Sequence, residues 1–306
     1  MSSEQVILLC PGQGAQKVGM GKAWHDVSTA AKEIFDEADE VLGDTLGRPL
    51  SEICFTDPDG KLNQTNVSQP AIYTTSIASL HGLREQGFEE EIIATAGLSL
   101  GEYSALHLAG VFSFADGLRL VAKRGQLMQE AAEATPSTMI AVIGDDNAIL
   151  ALCEEARGED ILIPANFNAS GQIVLSGSVS ACERVAQLAS DRGVRGTPLS
   201  VAGAFHSPFM APAADGMREA LSNTSINTPA IDVWSNVTAE LHEPASIADC
   251  LVQQITGSVR WAQSCSAMAS RYDGCMWHEL APNGVLRGLM RRITRDVKVE
   301  SHDEPK

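Results

Sequence analysis

The chain has 306 residues, of which 44% are hydrophobic and 20% charged, so it is long and apolar enough to bury a core in one large domain or two. Its 22 Lys and Arg residues against 39 Asp and Glu residues give a net charge of −17. A field of that sign repels nucleic acid and anionic membranes, which we therefore exclude as partners. No apolar run reaches the roughly 18 residues of a transmembrane helix.

The cysteines indicate a reducing environment. Seven are scattered along the chain, and no C-x-x-C pair occurs among them. An odd count without paired spacing predicts free thiols rather than a disulfide framework or a zinc site. The start, MSSEQVILLC, lacks the basic segment and cleavage site of a signal peptide, so we expect a cytoplasmic protein.

The first third of the chain predicts alternating strands and helices. Pro70 and Gly87 are expected at the first turn and at the end of one of these helices. The predicted elements are a strand at 6–10, helices at 27–42 and 69–87, a strand at 91–96 and a helix at 100–109.

The pattern changes between residues 133 and 198. The predicted order is β-α-β-β-α-β, which is typical of a ferredoxin-like unit inserted into a larger domain. The terminal residues 301–306, SHDEPK, are expected to be frayed. The elements of the inserted unit are a strand at 138–144, a helix at 146–156, strands at 161–168 and 172–177, a helix at 178–193 and an extended segment at 194–205.

A serine lies between two glycines in GLSLG, from Gly97 to Gly101. The pattern alone is weak evidence, but here it joins a predicted strand to a predicted helix, as in a nucleophile elbow. Small flanking residues let the backbone reverse, and the N–H of Leu100 then points at an oxygen attached to Ser99. An ordinary βα turn with serine as the helix N-cap remains the alternative.

A serine nucleophile needs a base, and the chain has seven histidines. His206 in GAFHSPF is the best candidate, because it follows a strand-like run and precedes a proline-containing loop. A packed or exposed histidine at 206 remains possible on this pattern, and His278 in MWHEL is ambiguous. The others lie in helical or polar surroundings that indicate surface or hydrogen-bonded histidines: His25, His81, His107, His242 and His302.

Six segments together resemble the malonyl-CoA:acyl carrier protein transacylases, from about residue 5 to 295. The resemblance implies an α/β-hydrolase-like domain formed by residues 1–132 and 199–306, with the ferredoxin-like unit at 133–198 inserted. The segments, in order, are PGQGAQ, GLSLGEYSAL, KRGQLMQEA, NFNASGQIVLSG, GAFHSPFMAPA and QQITGSVRW.

The resemblance implies a catalytic role for several positions. Ser99 would attack the thioester and His206 would act as general base. Backbone N–H groups of Gln13 and Leu100 would bind the oxyanion. The carbonyl of Gln254, in place of a carboxylate, would orient the histidine.

The resemblance also implies how the acyl group is chosen. Arg124 would bind the malonyl carboxylate with two parallel hydrogen bonds, and Phe205 would crowd a branched α-carbon. Leu98 stands where many relatives have histidine. Four residues would shape the pocket, with structural roles open as the alternative: Gln69, Met128, Asn166 and Asn168.

The implied partners are malonyl-CoA and acyl carrier protein, with no metal or cofactor, because CoA and phosphopantetheine belong to the substrates. A serine esterase or thioesterase, a non-enzymatic carrier-binding module and an acyltransferase of a polyketide or polyunsaturated-lipid pathway remain as alternatives. A basic surface for the carrier or CoA is predicted from four arginines, unless they are ordinary exposed helix charges: Arg287, Arg291, Arg292 and Arg295.

Overall fold

Two β-sheets organise the chain in the computed structural model, which describes residues 4–306. The strands are β1 (Gln5–Cys10), β2 (Glu91–Gly97), β3 (Ser137–Ile143), β4 (Leu162–Ala169), β5 (Gln172–Ser178), β6 (Arg195–Pro198), β7 (Asp232–Trp234), β8 (Met276–Leu280) and β9 (Val299–His302). One sheet is parallel with the order β7-β2-β1-β8-β9, and the other is antiparallel with the order β4-β5-β3-β6. The chain therefore has a mixed α/β fold.

Helices cover both faces of the parallel sheet. The α-helices within residues 4–306 are α1 (Lys22–Val27), α2 (Thr29–Leu42), α3 (Leu50–Thr56), α4 (Thr65–Glu85), α5 (Gly101–Leu108), α6 (Phe114–Ala134), α7 (Asp146–Arg157), α8 (Val179–Leu188), α9 (Ala211–Ser222), α10 (Ile247–Thr256), α11 (Trp261–Arg271) and α12 (Val285–Ile293), of which α7 and α8 pack on the antiparallel sheet instead. No helix in this part of the chain is long and apolar enough to cross a membrane.

Strand β1 shows why two helical layers are needed. Val6 and Leu8 pack into a core formed largely by α2, α4 and α6, whereas Ile7 and Leu9 pack on the opposite face against α11 and α12. Because successive strand side chains point to opposite faces, a strand that is apolar at every position must be covered on both sides.

Helix α4 begins earlier than the sequence indicates. We predict a start after Gln69, with Pro70 in the first turn, but the helix begins at Thr65 and Pro70 lies inside it. Proline lacks the N–H of one helical hydrogen bond, which usually places it at a helix start. Here the first turns of α4 are buried in the main core, and this packing outweighs the local preference.

The antiparallel sheet carries its own apolar core with α7 and α8. It is joined to the rest of the molecule by backbone hydrogen bonds on both sides of Val259: its N–H donates to Ala165 O over 2.8 Å, and its carbonyl accepts from Phe167 N over 2.9 Å. Of the predicted extended segment 194–205, only β6 is a strand, and residues 199–205 form a loop.

The C-terminal residues are ordered by contacts, so the prediction of a frayed tail is wrong. Strand β9 continues to His302, whose carbonyl accepts a hydrogen bond from Trp24 Nε1 over 3.1 Å. Asp303 accepts from Lys17 Nζ over 2.6 Å. The polar composition of SHDEPK does not reveal the strand β8 with which its first residues pair.

Glycines allow β1, β2 and α5 to meet where β2 ends. A Cβ atom on Gly101 would lie 2.1 Å from the carbonyl oxygen of Cys10, and one on Gly97 would lie 1.9 Å from the backbone of Gly101. A Cβ on Gly12 would lie 2.2 Å from the carbonyl oxygen of Leu98. Gly12, Gly97 and Gly101 are therefore required by backbone-to-backbone contact.

We predict that Gly101→Ala lowers the free energy of unfolding by about 1–3 kcal/mol, because rigid backbone must shift to admit the methyl group. Gly288→Ala is the matched control: it lies in α12, with no atom within 4 Å of an added Cβ. Replacing a helical glycine by alanine at such a site should raise the free energy of unfolding by about 0.5–1 kcal/mol. Thermal melting of both variants checks the pair, and equal melting temperatures would contradict the packing argument.

Candidate active site

Ser99 occupies a sharp turn between β2 and α5, with a φ angle of +52°. A residue other than glycine rarely adopts this backbone conformation, so the surrounding contacts must hold it. Asn236 does so from the loop after β7: its Oδ1 accepts from Ser99 N over 2.6 Å, and its Nδ2 donates to Gly97 O over 2.8 Å.

His206 faces the serine hydroxyl. Its Nε2 lies 2.7 Å from Ser99 Oγ, and its Nδ1 lies 2.7 Å from the carbonyl oxygen of Gln254. His206 also has a positive φ, +57°. We expected it at a strand end, but it lies in the loop after β6, where Ser176 Oγ donates to the carbonyl of Phe205 over 2.6 Å.

Burial keeps this histidine neutral. Removal from solvent, followed by the nearby charge of Arg124, lowers the pKa of His206 to about 4, while the Gln254 carbonyl acts in the opposite direction. At neutral pH the Nδ1–H therefore donates to the carbonyl, and the Nε2 lone pair accepts the serine proton. This is the protonation state that a general base requires.

Arg124 lies on α6 with 1% of its surface exposed. Its guanidinium donates to Gln69 Oε1 over 2.7 Å, to Gln254 Oε1 over 2.9 Å and to Ser99 Oγ over 3.1 Å. Its Nε has no hydrogen-bond partner. Within residues 4–306, the oxygens that accept hydrogen bonds from Arg124 are all neutral, and Arg124 forms no ion pair, unlike the arginines that pair with a carboxylate.

A buried acid behind the site holds these groups in place. Glu102 Oε2 accepts from Gln254 Nε2, and its Oε1 accepts from Asn236 N over 3.0 Å and from His242 Nε2 over 2.7 Å. Burial lowers the pKa of His242, but the neighbouring Cys250 and Glu102 outweigh it and raise the pKa to about 9. An imidazolium and a carboxylate thus form a buried ion pair.

Sequence reasoning missed this supporting layer. Glu102 is three residues after Ser99, and its position in the first turn of α5 is the one signal that was available. His242, expected to be a surface or hydrogen-bonded histidine, is hydrogen-bonded to Glu102 through Nε2 but is buried. Asn236 follows a three-residue strand and has no motif of its own.

Two backbone N–H groups, one in the serine turn and one in the loop beside it, have no acceptor among residues 4–306. In the part of the chain that the structure describes, neither Gln13 N nor Leu100 N donates to a backbone or side-chain acceptor. The loop of Gln13 lies against the turn, because Gly12 touches the Leu98 carbonyl. Free N–H groups at a helix start suit an oxyanion.

A cavity of about 510 Å³ opens onto Ser99 between the two sheets. Residues from both sides line it, including Gln13, Leu98, Ser99, Arg124, Met128, Asn166, Asn168, Phe205 and His206. Asn168 Oδ1 is buried there without a hydrogen-bond partner.

Other predicted residues do not line the cavity. Gln69 and Gln254 are fully buried and contact the guanidinium of Arg124 from behind. Arg287, Arg291 and Arg295 are exposed at the C-terminal helix, and Arg292 donates to Gln172 Oε1 over 2.9 Å. The cavity lining includes none of these four arginines.

These groups suit acyl transfer. A serine hydroxyl bonded to a neutral histidine can attack a carbonyl carbon, and two free N–H groups can hold the resulting oxyanion. The buried guanidinium beside the hydroxyl favours an acyl group that carries an anion.

Comparisons with known proteins agree. Residues 7–295 match the family described as acyl transferase domain. The malonyl CoA-acyl carrier protein transacylase of Bacillus subtilis is 39% identical over 305 residues, which cover 98% of this chain and 94% of the relative.

Solved structures give the same result. A malonyl-CoA:acyl carrier protein transacylase from Xanthomonas oryzae superimposes with a TM-score of 0.92 at 36% identity, covering 100% of this chain and 96% of the other. A malonyl-transacylase solved with a type II PKS acyl-carrier protein gives 0.90 at 33% identity, covering 99% and 97%. The chain therefore belongs to the acyl transferase family, as one of its malonyl-CoA:acyl carrier protein transacylases.

Proposed function

We propose that the chain transfers a malonyl group from malonyl-CoA to the phosphopantetheine thiol of acyl carrier protein, through a malonyl ester on Ser99, and so supplies fatty-acid synthesis. The observation that carries this proposal is Arg124: a cation with 1% exposure, 3.1 Å from the nucleophile oxygen and without a carboxylate partner. A buried charge is costly unless it is paired. The malonyl carboxylate is the missing partner.

In the first half-reaction Ser99 Oγ attacks the thioester carbonyl while His206 Nε2 takes its proton. The oxyanion forms beside the N–H groups of Leu100 and Gln13, each worth about 3 kcal/mol of transition-state stabilisation. The carbon–sulfur bond then breaks, and His206 returns the proton to the CoA sulfur. Phe205 and Met128 line the cavity in which the malonyl α-carbon would sit.

The second half-reaction reverses these roles. His206 takes the proton of the phosphopantetheine thiol, and the sulfur attacks the ester carbonyl. The carbon–oxygen bond breaks, and the proton returns to Ser99 Oγ. Each proton and electron pair is accounted for by these two side chains and the substrates, so we propose a reaction without a metal or a cofactor.

We also propose the finer division of the fold. Residues 1–132 and 199–306 form an α/β-hydrolase-like domain, supported by the parallel sheet and its serine turn; residues 1–3 of this range lie outside the described part of the chain. Residues 133–198 form a ferredoxin-like insertion, supported by a separate core and the strand order β4-β5-β3-β6. The predicted cytoplasmic location is supported by seven cysteines that are all free thiols.

We predict that brief exposure to malonyl-CoA adds one malonyl group to the wild-type chain and none to Ser99→Ala. Intact-protein mass spectrometry measures the adduct, and carrier protein should then remove it. Ser104→Ala, a buried serine on α5 that does not line the cavity, is the control and should be acylated normally. Release of free CoA without an adduct in any variant would favour the esterase or thioesterase alternative.

Arg124→Ala should lower the acylation rate with malonyl-CoA by roughly a hundredfold and affect acetyl-CoA much less, because only malonyl carries the carboxylate. Arg124→Lys keeps the charge but loses the paired donors, so its acylation rate with malonyl-CoA should lie between those of the wild type and Arg124→Ala. Single-turnover rates with both donors measure the selectivity. Equal losses with malonyl-CoA and acetyl-CoA would contradict the role of Arg124.

The pH dependence follows from the low pKa of His206. Neutral imidazole is the reactive form, so acylation should stay nearly constant through neutral pH and decline as the pH falls through about 4. Arg124→Gln removes one cause of the shift and should move this decline to higher pH, with acetyl-CoA as donor. Stopped-flow acylation rates test this, with circular dichroism at each pH to confirm folding. A wild-type decline near pH 6.5 would contradict it.

A polyketide carrier is the second candidate acceptor, because one similar structure contains a type II PKS acyl-carrier protein. Discharge of the malonyl-enzyme by fatty-acid and polyketide carrier proteins, compared at equal concentration, separates the two. Faster discharge by the polyketide carrier would replace fatty-acid synthesis in the proposal.

A further inference from the structure

A second cavity, of about 630 Å³, lies at the β8–β9 edge of the parallel sheet. It shares no lining residue with the cavity at Ser99. His278 on β8 and Glu300 on β9 are register partners, and His302 lies two residues further along β9 on the same face. The parallel pairing of two short strands thus brings two imidazoles and a carboxylate together.

These three side chains have the spacing of metal ligands. One nitrogen of each histidine and one Glu300 oxygen lie within 4.8 Å of one another. His278 Nδ1 and His302 Nε2 are 2.8 Å apart, and both residues are buried. Imidazole is the commonest metal ligand among side chains, and it binds through either of its ring nitrogens.

A separate observation indicates a missing cation. Glu90 lines the same cavity, and its Oε2 is buried without a hydrogen-bond partner. Glu304 also lines the cavity, so three carboxylates face it, whereas the lining includes one cationic side chain, Lys306, which pairs with Glu300. A buried carboxylate oxygen without a donor is costly, and a bound divalent ion would compensate this excess of negative charge.

We propose that His278, His302 and Glu300 bind one divalent transition-metal ion, best matched by Zn²⁺, with Glu90 contributing its charge. Imidazole nitrogens with a carboxylate are ligands that zinc prefers, whereas Mg²⁺ and Ca²⁺ prefer oxygen alone. For both nitrogens to bind the ion, the proton of their hydrogen bond must move to the other nitrogen of its own ring, and Lys306 must leave Glu300. The two nitrogens must also separate from 2.8 Å to about 3.3 Å, the spacing in a tetrahedral zinc site.

The ion would join β9, the edge strand near the C-terminus, to β8. The site is separate from the malonyl-transfer machinery, so its occupancy should stabilise the fold without being required for acylation. The patterns expected for zinc in the sequence rely on closely spaced cysteines or histidines. Here the two histidines are 24 residues apart and meet only through strand pairing.

The test is titration of the metal-free full-length chain with Zn²⁺ by calorimetry, and with Co²⁺ by visible absorption. We expect one Zn²⁺ per chain, tetrahedral Co²⁺ bands, a higher melting temperature with Zn²⁺, and no comparable binding of Mg²⁺. Glu300→Gln and His302→Gln should each weaken Zn²⁺ binding by about tenfold or more. Glu300 is only partly buried, so its variant should fold even if His302→Gln does not.

Two controls make the result specific. Glu304→Gln removes one negative charge from the same cavity but no proposed ligand, and His81→Gln removes an exposed histidine elsewhere. Both should bind Zn²⁺ as the wild type does, and Glu300→Gln should keep wild-type malonyl transfer. Absence of stoichiometric Zn²⁺ binding, equal affinity in wild type and Glu300→Gln, or equal binding of Mg²⁺ would each overturn the proposal.

Discussion

The buried charge of Arg124 is the constraint on which the site depends. It is held by two glutamine amide oxygens, by the serine hydroxyl and by the face of Tyr103, whose ring centre is 5.6 Å from the guanidinium carbon. None of these partners carries the opposite charge in direct contact. Neutral dipoles offset only part of the cost of burial, so the free site is set up for an anion.

This charge also acts on the base. It helps to lower the pKa of His206, so the histidine remains neutral although it lies next to a nucleophile that must lose a proton. When a malonyl carboxylate binds to Arg124, the two charges compensate each other, and the imidazolium formed during attack becomes less costly. In the proposed mechanism, substrate choice and base strength are thus coupled through one guanidinium group. An acetyl group would leave this coupling unused.

Gln254 connects the same groups to a second buried charge. Its carbonyl orients His206, its Oε1 accepts from Arg124, and its Nε2 donates to Glu102 and to the Ser99 carbonyl over 2.9 Å. A carboxylate directly on the histidine would raise its pKa and neutralise Arg124. Glu102 instead contacts the side chain of Gln254 and not the histidine, and its own counter-ion is His242.

The sequence indicates the parts of the site that depend on local chain geometry. GLSLG between a strand and a helix identifies the serine turn, and the structure shows the cause in the contact of Gly101 with the Cys10 carbonyl. His206 and Arg124 are 107 and 25 residues from Ser99; the local pattern made His206 a candidate base, whereas only the resemblance to a family assigned a role to Arg124.

What could not be predicted depends on long-range packing. Glu102, Asn236 and His242 meet across 134 and 140 residues, and no pattern along the chain records such contacts. The early start of α4 and the ordered C-terminus have the same origin. The burial around Pro70 and the pairing of β9 with β8 are supplied by distant segments, which outweigh the local preference for a helix start or a frayed end.

The central claim is that Arg124 binds the malonyl carboxylate while Ser99 holds the acyl group. A crystal structure of the malonyl-enzyme, prepared with malonyl-CoA in the absence of carrier protein, tests it most directly. The account predicts an ester on Ser99 Oγ with its carbonyl oxygen at the N–H groups of Leu100 and Gln13, and both carboxylate oxygens within hydrogen-bond distance of the Arg124 guanidinium. A carboxylate directed to Asn168 or to solvent, with Arg124 still bonded to Ser99, would contradict it.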